Sequence, residues 1–117
     1  MMSKSTIKIP LYECKVVLIV TSTMEELQQY VFKKKKVSVD VLDTHGVVFN
    51  WGNAEYVIAL KEDSLSHNLL AHELFHLTVA ITTDIAIDDE ESQAWLVGHL
   101  TEHAYKILNK KKFVIKG

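Results

Sequence analysis

Between Leu69 and Ile81 the chain reads LLAHELFHLTVAI, where only His72, Glu73, His76 and Thr78 are polar. A helix built from this run has no wide polar face to offer water, so the pattern predicts a core helix. Burying an unpaired carboxylate in such a helix costs several kcal/mol, roughly, unless it is neutralised or partnered. Glu73 therefore needs a partner, and the two histidines flanking it are the nearest groups able to supply one or to bring one in.

The spacing says what they could bring. His72 and His76 lie four apart, one above the other on a helix face, so both imidazoles can grip one metal ion from the same side. Glu73, in the H-E-x-x-H arrangement, is carried to the flank of the pair, where a carboxylate can take a proton from a metal-activated water and later return it to a leaving amine. The competing reading is a structural helix in which these groups reach solvent or one another. A catalytic zinc also needs a third protein ligand and an open position. Downstream, Asp84 to Glu91 reads DIAIDDEE and precedes a long helical pattern ending near Asn109. Asp88, Asp89, Glu90 and Glu91 are the acidic candidates there. Steps of about 100° put Glu90 near the centre of the apolar arc of Leu96, Val97, Leu100, Ala104, Ile107 and Leu108. Asp88-x-x-Glu91 also reads as a capping box that would use Glu91 locally.

The rest of the chain predicts a small α+β protein, residues 1–117 as one domain. Thr6–Tyr12 and Lys15–Thr21 read as strands, and Val37–Leu42, alternating as VSVDVL, as another. Thr23-x-x-Glu26 is a capping-box signal for a helix running to about Lys35, whose basic end, Lys33 to Lys36, complements the helix dipole. GVVFNW, GN and AEYVIALK form a hairpin signal with Gly52-Asn53 as the turn. Its second strand leads into the HELFH helix, and Tyr56, Val57 and Ile58 in Tyr56–Leu60 are candidates for pairing with an extended peptide. The rival reading for YVIAL, apolar on both faces, is an interior strand.

Composition excludes several classes. All 13 basic residues are Lys, so bidentate phosphate or guanine recognition has no side chain to perform it, and a formal charge of -2 gives no footprint for nucleic acid. Cys14 is the only cysteine, which rules out an internal disulfide or cysteine-based zinc knuckle and predicts a small buried hydrophobe. The N-terminal apolar run is too short and interrupted for a signal peptide or membrane span, which points to the cytoplasm. His45 and His67 fall in predicted loops without a pattern, and Trp51 and Trp95 read as core aromatics.

HELFH followed by ESQAWLVG, Glu91 to Gly98, resembles the gluzincin pattern of zinc metallopeptidases. It is most similar to the very small metallopeptidases encoded by phages and prophages, over roughly Tyr56 to Glu102. The resemblance implies a zincin-like core, one Zn²⁺ held by His72, His76 and Glu91, Glu73 as general base, and Ala94 and Gly98 packing against the first helix. It implies a peptide or protein substrate, with His99, His103 or Tyr105 as candidates for stabilising an oxyanion. It further implies a small mixed sheet with the HELFH and Glu91 helices packed on one face. A catalytically idle interaction module of phage origin is the alternative, and a deformylase is disfavoured because Cys14 lies in no motif of that family.

Overall fold

The computed structural model describes residues 1–117. The first strand, β1 (Met2–Ile9), stops earlier than its sequence predicts, because Pro10 cannot donate to a ladder and instead opens a short 3-10 turn over Pro10–Tyr12. Glu13 closes that turn in the left-handed region at φ 52° and launches β2 (Cys14–Thr21). At Thr23 the predicted cap forms: its hydroxyl accepts from the Glu26 amide at 3.1 Å and starts α1 (Met24–Lys35). The return half of the capping box does not form, since the Glu26 carboxylate accepts from Thr21 Oγ1 and pairs with the N-terminal ammonium.

Val37–Leu42 is not a strand. Val41 is buried and Val39 half-buried against α1 and the sheet residue Val57, while Val37 and Leu42 face solvent. The alternation is obeyed, but the segment lies across the α1 layer, where no strand runs beside it. The hairpin does form, from β3 (Gly46–Gly52) and β4 (Glu55–Lys61). Its turn is one residue later than predicted: Asn53 and Ala54 take φ 55° and 60°, the pair of positive values a type I′ turn requires. Gly52, at φ 88°, ends β3 beside a register shift in the ladder.

The sheet order is β1-β2-β4-β3, with β2 and β4 parallel at the centre and antiparallel strands at both edges. Two helices follow the sheet strands: α2 (His67–Asp84) and α3 (Glu90–Lys110). Both cover one face, where Leu70, Leu74 and Leu77 of α2 and Leu96, Leu100 and Leu108 of α3 pack on alternate residues of the strands. The opposite face, carrying Ile19, Val57 and Ala59, is closed by Met24, Leu27 and Val31 of α1. The protein is thus α+β, with a small mixed sheet and the two later helices together on one face, as the sequence predicts.

Strand β4 is interior. It is laddered to β2 on one side and β3 on the other, and Tyr56, Val57 and Ile58 are buried. These three residues therefore have no free backbone edge for a peptide, and the free edges belong to β1 and β3. Tyr56 instead reaches across the core to donate its hydroxyl to Asp84 at the end of α2. Burial, then the bond to Asp84, pushes the Tyr56 hydroxyl far above its usual pKa, so it remains a donor. A carboxylate at a helix C-terminus opposes the helix dipole, and this donor offsets that. Tyr56→Phe, which keeps the ring and deletes the hydroxyl, is expected to lower stability by about 1–2 kcal/mol, read as a lower urea midpoint at unchanged slope.

Candidate functional site

Helix α2 is aimed by its first turn. Ser66 accepts from the Leu69 amide at 3.0 Å, and the C-terminal tail returns to pin this start, with His67 N donating to Lys116 O at 3.0 Å and Lys116 N to Leu65 O at 3.1 Å. Further along, the buried hydroxyls of Thr78 and Thr82 donate to carbonyls one turn back, Leu74 O and Thr78 O, both at 2.8 Å. Sheet and α3 cover only part of this helix. Phe75 is 61% exposed and Val79 45%, so the expectation of a helix enclosed on all sides is corrected: an apolar stripe and both motif histidines lie open to solvent.

The imidazoles of His72 and His76 lie side by side, with ring centroids 4.6 Å apart and planes at 82°. Glu73 turns the other way, inward, and is only 6% exposed. Its Oε2 accepts from His72 Nδ1 at 2.9 Å, which places a proton on that ring nitrogen. The Glu73 chain occupies the place where residue 46 lacks a side chain: a Cβ on Gly46 would stand 2.8 Å from Glu73 Cγ and 3.2 Å from Cδ. The start of the free edge strand β3 thus rests on the motif carboxylate.

The acidic candidates of the later helix are not brought to the pair. His67 marks the side of α2 that faces α3, because its Nδ1 is hydrogen-bonded to Tyr105 at 2.6 Å. At about 100° per residue, His76 projects about 180° and His72 about 140° away from that side. Glu91 sits exposed in the first turn of α3, beside the end of α2, and the rise from His76 to Asp84 alone is about 12 Å. Glu90 occupies the same turn. The helix cap is Asp89, accepting from Ser92 N at 2.9 Å, in place of the Asp88-Glu91 box. As the side chains stand, no three His, Cys, Asp or Glu residues are gathered to hold an ion. The chemistry of the pair nonetheless fits half of a zinc site, with two exposed imidazoles side by side and a carboxylate hydrogen-bonded to one of them.

The other candidates lie elsewhere. His99 donates from Nε2 to Lys8 O at 2.9 Å, stacks on Trp95 at 5.0 Å and lies 4.4 Å from His103, all toward β1. Because β1 and β3 are opposite edges of the sheet, neither histidine borders the motif. Trp95, predicted to be core, is 43% exposed and meets Tyr12 edge-on. Tyr105 is engaged by His67. Cys14 is buried as predicted, and burial, reinforced by Asp84, pushes its thiol up. Sequence reading passed over His45. It precedes Gly46 directly and shares a cavity of about 290 Å³ with His72. Only the hairpin register, which sets Gly46 opposite Leu60, could have signalled it.

No family model, no curated protein and no solved structure matches this chain. No helix is long and apolar enough to cross a membrane.

Gly46→Ala is expected to cost about 1–3 kcal/mol from overpacking, and markedly less when Glu73 is also changed to Ala. A double-mutant cycle by urea denaturation checks this. An equal cost in both backgrounds would assign the clash to Leu60, whose Cδ2 is 3.3 Å from the same point.

Proposed function

We propose that this chain is a zinc-dependent metallopeptidase with a zincin-like core, acting on a peptide or protein in the cytoplasm, in keeping with the phage-type resemblance of its motif. The observation that carries the reading is the placement of Glu73: a motif carboxylate held almost out of water, touching one histidine of an exposed pair on one side and the free edge strand on the other. His72 and His76 would hold the ion. When bound, zinc supplies a water of lowered pKa and polarises a carbonyl.

The chain's own residues account for the other requirements. Glu73, hydrogen-bonded to one histidine of the pair, is the carboxylate that would take the proton from the attacking water and return it to the departing nitrogen. The outer edge of β3 offers unpaired backbone groups to an extended substrate, in place of the interior strand β4. Phe75 and Val79 give apolar side chains of that substrate a surface beside the histidines.

A second reading, a catalytically idle zincin-like interaction module, is favoured by one observation: no third ligand stands beside the pair. The two separate in one experiment. Protein purified without a histidine tag is expected to carry about one zinc per chain and to cleave a proteome-derived peptide library in a chelator-sensitive manner. His72→Ala should lose both metal and cleavage, and Glu73→Gln should keep the metal and lose cleavage. Metal retention without any wild-type cleavage would favour the idle module.

A further inference from the structure

We infer that the extended substrate lying on β3 is an acidic segment with one large apolar side chain, received by the groove between α1 and β3. This names a substrate class for the proposed site and rests on that reading for the role of β3. The groove has a volume of about 290 Å³ and is lined by Val31, Val37, Val39, Phe49 and Trp51, with Lys35 its one charged residue. Pockets for small molecules and cofactors begin at about 300 Å³, so this one suits a single side chain. It is open to an occupant: Val37 is 52% exposed, and Phe32, just before the lysines that end α1, is 54% exposed.

The sheet delivers an added strand to it. Val47, Phe49 and Trp51 point to the α1 face of β3, whereas Gly46 and Val48 point to the α2 face, where Glu73 sits. A strand paired to the outer edge repeats that alternation, so every second side chain passes beside Phe49 and Trp51. Regular pairing stops at the shift between Asn50 and Gly52, and the Asn50 carboxamide turns back to accept from Gly52 N at 3.0 Å. At this end a strand is therefore held by a side chain in the groove rather than by further ladder bonds. Five steps of about 3.4 Å from Gly46 to Trp51 span roughly 17 Å, which sets the groove about five residues from the bond beside Glu73.

Charge chooses the occupant. Lys33, Lys34, Lys35 and Lys36 are consecutive and exposed at the end of α1, and the salt bridges of the chain are made by other groups. The dipole of a helix C-terminus amounts to about half an elementary charge, so it accounts for one lysine at most. Asp40 is the one carboxylate between Lys33 and Val41. The Lys35 ammonium lies 5.1 Å from the centre of the Trp51 ring, and Trp51 stacks on Tyr30 with centroids 6.3 Å apart. The aromatic wall of the groove thus carries its own cation. With a formal charge of -2 on the whole chain, this basic patch opposes the sign of the rest and draws in carboxylates beside an apolar residue. A bare polyanion, whether nucleic acid or a lipid surface, would use the lysines and leave the groove and the strand edge empty.

The test is peptide binding to the metal-free chain, read by fluorescence anisotropy apart from any turnover. The probe is a labelled serine–threonine peptide of roughly ten residues, enough to cover β3, with one phenylalanine between paired glutamates. Exchanging its glutamates for lysines should weaken binding at least about 30-fold, and exchanging its phenylalanine for serine about 10-fold. Val37→Glu, which puts a carboxylate in the groove, should cost at least about 10-fold. The combined Lys33→Gln, Lys34→Gln, Lys36→Gln variant should lose about 10-fold and most of the salt dependence. These four side chains are exposed, so circular dichroism and urea midpoints of the variants should match the parent. Equal affinity for the lysine peptide, parent-like binding by Val37→Glu, or no binding of the acidic probe would overturn the inference. Tighter binding of polyuridylate or of phosphatidylserine vesicles than of the probe would overturn it too. No metal takes part in these measurements. A chelator-sensitive peptidase without this charge preference would therefore sink the inference and keep the zinc reading, and probe binding by a chain that holds no zinc would do the reverse.

Discussion

A carboxylate held in the seam between α2 and β3 governs the working end of this protein. Glu73 cannot be left there unpartnered without a cost of several kcal/mol, roughly. The fold answers that demand twice over. His72 donates to it from Nδ1, and the absence of a side chain at Gly46 gives it room. Each answer has a structural consequence. The first fixes the tautomer of a motif histidine, and the second draws the edge strand close enough to α2 that strand, carboxylate and imidazole form one continuous surface.

The same helix also decides what cannot join that surface. Its sheet-facing leucines and its contact to α3 through His67 and Tyr105 take up two of its sides. Whatever is left faces away from α3. A third ligand from the following helix would require α3 to lean across the His72–His76 side, and the five residues between Asp84 and Glu90 instead return the chain as a tight antiparallel neighbour. The acidic cluster at the head of α3 is then explained locally: Asp89 caps the helix, and negative charge in the first turn complements its dipole.

What could be read in advance follows the range of the forces involved. Local signals were legible: the Thr23 cap, the strand Lys15–Thr21, the hairpin around Asn53, and the existence of α2 and α3, whereas the first strand runs from Met2 to Ile9 and shares only Thr6–Ile9 with its expected span. The placement of both later helices on one sheet face, expected from the resemblance of the motif region, is also what the structure has. Misreadings came where a pattern was satisfied by something other than its usual partner. Val39 and Val41 alternate inward without a neighbouring strand, Trp95 packs on Tyr12 at the rim of the fold, and YVIAL is apolar on both faces because α2 and α3 cover one of them and α1 the other. At the motif, the orientations of His72, Glu73 and His76 follow from helical periodicity. The environment of Glu73 does not, since Gly46 lies far away in sequence and meets it only through the register of the hairpin.

The two edges of the sheet show how that register bears on function. Exposed strand edges invite pairing with other chains, and proteins usually blunt them with charge, proline or irregularity. Strand β1, at one edge, carries Lys4 and Lys8 and runs into Pro10. Strand β3, at the other, reads GVVFNWG, with no charged residue and no proline, and its only irregularity lies at the end remote from Gly46. The blunted edge is the one beside His99 and His103, and the open edge is the one resting on Glu73. A chain that needed only to fold would gain by protecting both. Leaving unguarded the one edge that borders the histidine pair makes sense if an extended backbone is meant to lie there, and that selective exposure ties the fold to the proposed chemistry more closely than the motif does alone.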